Sequence, residues 1–442
     1  MWVRVPPSAQ IKKMKMKYIL IIILVSLLIP ASVESHIENI ENSLQNNNYE
    51  IAYEKFNVAI SEFDANSNLY FTGANIAIKL DKLDDANKYF IKAIELDNKN
   101  KNYRKAQENL LVLKNDITNV RKTFDSGRLD QAINEYIELT SKYPNNAIIF
   151  YNLGRMYKLN KQYDYAVDNY KIAVKTNPFE EKYKLAIKAI AQQVAKEGDT
   201  EYRRQEFDVA IKNYKESISY YPDYTIAYFK LARTYFKIKD YDNAKIYLIK
   251  NLLVNPNQEQ SEKMLGDVFL RAGEIDSALT HYNNAIKINS NYSKAYYSLG
   301  TSLFKINDYA GAKNALQEAL VLDSNYAKAY NALGTVYQAQ NNFELAVDNF
   351  NSCISLDGKS YDSYYRLSSV YNLLEKYELA KTSAKNCLNI KRNYAPAYFE
   401  LGVSEKALGN NVAASSAFEK AKKDKNWRKL AQYELDMLKK GF

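Results

Sequence analysis

Histidine is almost missing from this chain of 442 residues, occurring only at His36 and His281. A histidine dyad for acid–base catalysis and a histidine-rich metal centre are therefore excluded, and His281 reads as a helix-surface residue. Cysteine also occurs only twice, at Cys353 and Cys387. These positions are 34 residues apart and read as packing thiols at equivalent places of neighbouring units, which need not lie within the Cα separation of about 4.4 to 6.8 Å that a disulfide requires. Proline (8) and glycine (13) are sparse while apolar residues make up 47%, which argues for a folded, largely helical chain over a disordered one. No phosphate-cradling glycine motif occurs in a strand–turn–helix setting, so a nucleotide cofactor has no support. Tyrosine is abundant, at 39 residues, but so are Asn, Lys and Ile, so its number is read as compositional bias and not as aromatic recognition.

The only long apolar run, YILIIILVSLLIP at residues 18–30, follows the basic KKMKMK and precedes ASVES. That order is that of a secretory signal peptide, cut before His36 or after Ala31. The run is shorter than the ~20 residues that span a bilayer comfortably, and left uncut it would serve as an N-terminal anchor. The chain is therefore expected to be exported to a periplasmic or extracellular space, or tethered to a membrane through residues 18–30. The first 36 residues carry +4 (Arg4, Lys12, Lys13, Lys15 and Lys17 against Glu34), leaving +6 of the total +10 for the rest. Spread over the remaining chain, that excess is too small to point to nucleic acid.

The chain is periodic. Ala210, Ala244, Ala278, Ala312, Ala346, Ala380 and Ala414 recur every 34 residues, and two longer intervals extend the ladder back through Ala166, Ala132, Ala86 and Ala52. A small residue follows a leucine at Gly154, Ala232, Gly266, Gly300, Gly334, Ser368 and Gly402. Four residues past most ladder alanines stands an aromatic, such as Tyr170, Tyr214, Tyr282, Phe350 or Phe418, and Pro144, Pro178, Pro222 and Pro256 stand twelve past. Leu, small and Tyr share one face of a first helix, and Ala and the aromatic share one face of a second, which predicts an antiparallel helix pair per repeat. Proline ends each pair where it occurs. The long intervals, 46 residues from Ala86 to Ala132 and 44 from Ala166 to Ala210, predict lengthened helices there, protruding by up to ~15 Å at 1.5 Å per residue. The C-terminal WRKLAQYELDMLKK puts Trp427, Ala431, Leu435 and Leu438 on one face, as a terminal capping helix requires.

This pattern resembles the tetratricopeptide repeat family. In residues 327–360 the family's motif is met by Tyr330, Leu333, Gly334, Tyr337, Ala346, Phe350 and Cys353, and the resemblance extends over about residues 36–428. It is weakest at the front, where Gly73 and Ala74 replace Leu-Gly and residues 116–123 barely match. The resemblance implies an all-α fold, a right-handed superhelical α-solenoid of about eleven helix pairs plus a capping helix. The chain is divided into 1–35 (signal peptide or anchor), 36–112 (two degenerate repeats plus an inserted helical segment), 113–190 (two repeats plus a second insert), 191–426 (seven repeats) and 427–442 (cap).

The resemblance further implies a non-enzymatic scaffold for protein or peptide partners, with no cofactor, no metal and no nucleic acid, and with membrane contact only through the N-terminal segment. Carried over from the family, the groove positions of the first helices are Tyr151, Arg155, Lys158, Tyr202, Arg203, Phe229, Arg233, Phe236, Lys237, Arg271, Tyr297, Phe304 and Lys305. Lys328, Asn331, Thr335 and Gln338 are the corresponding variable residues of the most typical repeat. Interleaved cations and aromatics suit peptides with acidic and apolar side chains, although Asp199 and Asp267 interrupt the patch. The carboxylate clamp of some family members is not expected, since Lys263 is followed at the required place by Asp267 and not by Asn. Two other classes stay open: self-assembly into an envelope complex, and RNA binding by a related helical repeat whose usual period is 35.

Overall fold

The structure, a computed structural model, describes residues 32–46 and 48–439, so the expected leader at residues 1–31 lies outside the described residues. These residues form helices and connecting turns, with no strand among them. They group into two compact bodies. The N-terminal body contains α1 (Val33–Gln45), α2 (Tyr49–Glu62), α3 (Ser67–Lys79), α4 (Leu83–Leu96), α5 (Lys101–Asp125), α6 (Leu129–Lys142), α7 (Ala147–Leu159), α8 (Tyr163–Thr176) and the first part of α9 (Glu181–Arg203). The C-terminal body takes the rest of α9, most of α10 (Phe207–Tyr220), then α11 (Thr225–Lys237), α12 (Tyr241–Val254), α13 (Glu259–Ala272), α14 (Ile275–Ile288), α15 (Ser293–Lys305) and α16 (Tyr309–Leu322). It continues through α17 (Ala327–Ala339), α18 (Phe343–Leu356), α19 (Tyr361–Leu373), α20 (Tyr377–Ile390), α21 (Ala395–Ala407), α22 (Asn411–Ala421) and α23 (Arg428–Lys439).

The repeating residues explain the hairpins. All eleven ladder alanines lie in second helices and are fully buried. Each is small because a first helix passes close beside it. At Gly334 on α17, an added Cβ would sit 2.7 Å from the Phe350 ring of α18, so only glycine leaves that ring its place. Gly73 does the same for Phe56 of the preceding hairpin, which accounts for a glycine where the other repeats carry leucine. Gly198, twelve residues before Ala210 and so in the same column as Gly334, similarly abuts Tyr214.

The corner between first and second helix has one left-handed residue in repeat after repeat: Asp81, Gly127, Lys161, Gln205, Lys239, Gly273, Asn307, Asn341, Glu375 and Gly409. At Asn341 the amide donates to the Gln338 carbonyl at 3.0 Å and the next amide, of Asn342, to Tyr337 at 2.9 Å, closing the first helix with a paired cap. Between repeats, Asp97, Asp323 and Asp357 accept from the amide two residues on at 3.1 to 3.2 Å, forming Asx turns.

The two long intervals become the continuous helices α5, of 25 residues, and α9, of 23, where most first helices have 13. Their extra turns are packed, not projecting: Tyr103, Leu110, Leu113, Val120 and Thr123 of α5 are buried from one end to the other. At the C-terminus, Ala431 and Leu435 of α23 bury against Ala414, Phe418 and Ala421 of α22, and Trp427 packs on Phe399 at 5.0 Å.

Candidate functional site: two clefts between first helices

In the N-terminal body, spacings of four and three residues place Tyr151, Arg155 and Lys158 on one face of α7. Tyr170 of α8 and Lys182, Leu185 and Ala186 of α9 complete a cleft of about 470 Å³. Tyr151 is half-buried, its ring 5.6 Å from that of Tyr170 and 5.2 Å from that of Tyr183. Arg155 and Lys158 are exposed, and neither forms an ion pair among the described residues; the Arg155 guanidinium faces the Tyr151 ring at 6.0 Å. No carboxylate lines the cleft. Burial pushes the Tyr170 hydroxyl above the ordinary tyrosine range, with Arg155 pulling the other way, so the phenol stays neutral at the cleft floor. Lys182, on the opposite wall, pairs with Asp81 at 3.0 Å and Glu180 at 3.6 Å.

The C-terminal body holds a second cleft of about 440 Å³, lined among others by Phe236, Lys263, Asp267, Arg271, Tyr282, Tyr297 and Lys305. Here the charges are partly spent internally. Asp267 lies 2.6 Å from Lys263 and accepts from the Tyr282 hydroxyl at 2.9 Å. Asp199 likewise accepts from the tyrosine of its own hairpin, Tyr214, at 2.8 Å, but pairs with Lys230 of the next first helix, α11, at 2.5 Å. The two aspartates that interrupt the patch in sequence are thus engaged within the scaffold. Lys263, already paired, is not a free clamp residue.

Of the thirteen groove residues expected from the resemblance, Tyr151, Arg155 and Lys158 share the first cleft, and Phe236, Arg271, Tyr297 and Lys305 the second. Arg233 stacks on Tyr202 at 4.6 Å, with its buried Nε unpartnered. Arg203 donates to Thr200 at 3.3 Å, and Lys237 is exposed. Phe229 and Phe304 are half-buried against the hydrophobic core, Phe304 lying 5.6 Å from Tyr309. In the typical repeat, Asn331 bonds Asp362 and Ser363, both at 2.9 Å, and Thr335 bonds the Asn331 carbonyl at 2.8 Å, so these side chains are engaged within the scaffold.

Lys182 and Tyr170 were missed by the groove assignment. The lengthened α9 puts Lys182 far from the register counted back from Ala210, although the helical pattern EEKYKLAIKAIA around it marks the start of a first helix. His281 is more than a surface residue: it stacks on Phe269 at 5.1 Å and bonds Glu262 at 2.7 Å. Cys353 and Cys387 are buried free thiols, and burial pushes Cys387 up to about 12. No cluster of His, Cys, Asp or Glu suited to a metal ion occurs among the described residues, and none of their helices is long and apolar enough to cross a membrane.

Stacked antiparallel pairs with a small residue at each close approach define a helical-hairpin repeat protein. Comparison gives the family. A model described as TPR repeat matches residues 198–239, 266–307 and 300–341. Two models described as Tetratricopeptide repeat match residues 67–100, 226–258, 327–360 and 361–394, and residues 121–181. The chain belongs to the tetratricopeptide repeat family.

No curated protein matches the chain. Among solved structures, MamA is 27% identical over 36% of this chain and 92% of its own, with a TM-score of 0.34. YrrB, described as a TPR protein with an unusual peptide-binding site, is 20% identical over 42% of this chain and 95% of its own, with a TM-score of 0.36. The Cut9–Hcn1 hetero-tetramer of APC/C gives 14% identity over 90% of this chain and 95% of that one, with a TM-score of 0.47. At TM-scores below 0.5 these likenesses carry no functional information.

Proposed function

We propose that this tetratricopeptide repeat protein is a non-enzymatic interaction scaffold that takes peptide segments with acidic and apolar side chains, with the α7–α9 cleft as its main site. The observation that carries this is the pair of exposed, unpaired cations Arg155 and Lys158 beside the half-buried Tyr151, in a cleft lined by no carboxylate. Two unpaired cations above an aromatic floor supply charge-assisted hydrogen bonds for a carboxylate and apolar area for its neighbours. The C-terminal cleft, with Arg271, Tyr297 and Lys305, is the secondary site. Export or membrane tethering through residues 1–35 belongs to the same proposal and is supported by the sequence order of that segment alone.

The test is a peptide-display selection against the full chain and against the double substitution Arg155→Glu with Lys158→Glu. The wild-type chain is expected to enrich peptides that combine Asp or Glu with aromatic or aliphatic residues. The double variant, melting at the wild-type temperature, should lose that acidic preference and bind the selected peptides at least about tenfold more weakly, roughly 1.4 kcal/mol. An unchanged acidic preference would remove the cleft from the proposal.

A further inference from the structure

Within the N-terminal body, the corner joining α3 to α4 meets the segment joining α8 to α9, far along the chain. The Asn177 side-chain amide donates to the Lys79 carbonyl, and the Tyr183 hydroxyl donates to the Asp81 carboxylate. Lys182 Nζ stands 3.0 Å from Asp81 Oδ2, and the rings of Tyr49 and Phe179 meet edge to face at 6.0 Å. The Asp81 side chain is only 5% exposed. Lys182 is also a wall of the cationic cleft. Asp81 therefore holds, from within the chain, one of the cations that the cleft would offer a ligand.

We propose that the α3–α4 corner is an internal latch on this cleft: Asp81 engages Lys182 as an acidic side chain of a bound peptide would, so that closing the corner and binding such a peptide exclude each other. The inference rests on the peptide-binding reading of the cleft. Two features make the contact reversible, unlike a core. Asn177 is buried with its Oδ1 unpartnered, beside a small polar cavity of about 40 Å³ lined by Asp81, Asn145 and Asn146. Burial also pushes the Asp81 carboxyl up to about 6, Glu180 adding to the rise and Lys182 opposing it, so at neutral pH the closed corner retains a charge at a cost. The groups facing Asp81 across the contact are Lys182, Tyr183 and Glu180.

The backbone permits a clean test. Asp81 has φ 57°, and at the same corner of other repeats the exposed Lys161 has φ 57° and Lys239 φ 67°, so the backbone conformation there admits lysine. Full-length wild type, Asp81→Lys and Asp81→Asn are compared for binding a fluorescein-labelled Glu/Leu peptide by anisotropy, and for hydrogen exchange at residues 177–183. Asp81→Lys, which repels Lys182, should bind about tenfold tighter and exchange faster at 177–183. Asp81→Asn keeps the shape but removes the carboxylate that holds Lys182, and should also bind more tightly than wild type, by less than Asp81→Lys. Wild-type affinity in Asp81→Lys, or unchanged exchange at 177–183, overturns the latch. If Asp81→Lys melts well below wild type, Asp81→Asn decides, and wild-type affinity there overturns it. Failure of the cleft reading looks different: neither wild type nor Asp81→Lys binds the peptide while exchange at 177–183 still quickens in Asp81→Lys, which overturns the competition as well.

Discussion

The two clefts share a framework, and among their differing lining residues the one that follows the framework glycine has the opposite charge in the two. In both, a glycine of the first helix lies against the tyrosine of the second: Gly154 against Tyr170 and Gly266 against Tyr282. The next residue is Arg155 in the N-terminal body and Asp267 in the C-terminal body. Asp267 accepts from its tyrosine and neutralises Lys263, whereas Arg155 has a tyrosine ring beside it and no acid. The scaffold column fixes where the side chain stands, and its charge decides whether the cleft is satisfied from within or left to an outside carboxylate. A repeat fold thus separates stability from recognition by residue position, one residue apart on the same helix.

If the framework is common to both bodies, breaking it should cost the same in each. Gly154→Val would place a Cβ 2.6 Å from the Tyr170 ring and 3.0 Å from the Ala166 carbonyl; Gly266→Val would meet Tyr282 at 2.6 Å and the Ala278 carbonyl at 3.1 Å. With side chain and ladder backbone both in the way, each substitution should destabilise by about 3 kcal/mol or more, at the upper end for overpacking. Region-resolved hydrogen exchange should show the loss centred on α7–α8 for the first and α13–α14 for the second. A small loss in one body alone would mean that the two hairpins are not equivalent.

A difference between the bodies should appear with pH. Asp81 titrates near 6 in the folded chain against an ordinary 3.8, burial being the main cause. A carboxyl raised on folding contributes stability that is complete below about 3.8 and is lost as pH rises through about 6, here at most about 3 kcal/mol. Between pH 4 and 7, protection at the α3–α4 corner and at residues 177–183 should therefore fall as pH rises. Asp81→Asn should flatten that dependence. The buried Glu400 of α21 in the C-terminal body is also raised by its burial and will show the same sign locally, so it must be followed separately. A pH dependence at residues 177–183 that survives Asp81→Asn would assign it to another group.

How much of this could be read in the sequence follows from which interactions repeat. Ala346, Gly334 and Phe350 were legible because close helix approach admits few residue types and the same contact recurs down the chain. The lengthened α5 and α9 were legible as surplus residues between ladder alanines. Lys182 was not, since the extra turns of α9 displace the start of that helix from the common register. The meeting of Asp81 with Lys182 was not either, because it joins segments that no local periodicity relates. Nor was the left-handed corner: Asp81, Lys161, Gln205, Lys239 and Glu375 share a conformation but no chemical type.

That corner supplies the smallest effect and the closest control on the comparison. Lys161 in the N-terminal body and Lys239 in the C-terminal body hold positive φ at the end of a first helix, which glycine does without steric cost. Gly127, Gly273 and Gly409 already do so in other repeats, with open space where a side chain would stand. Replacing either lysine by glycine removes left-handed strain but enlarges the freedom of the unfolded chain, and the two oppose each other. The strain term is the larger at such a cap, so Lys161→Gly and Lys239→Gly should each stabilise by about 0.5 to 1 kcal/mol, seen as a small rise in melting temperature. Because neither side chain lines a cleft, acidic-peptide binding should not change. A gain at one corner and a loss at the other would show that the repeats differ in the backbone they share, and not only in the charges they carry.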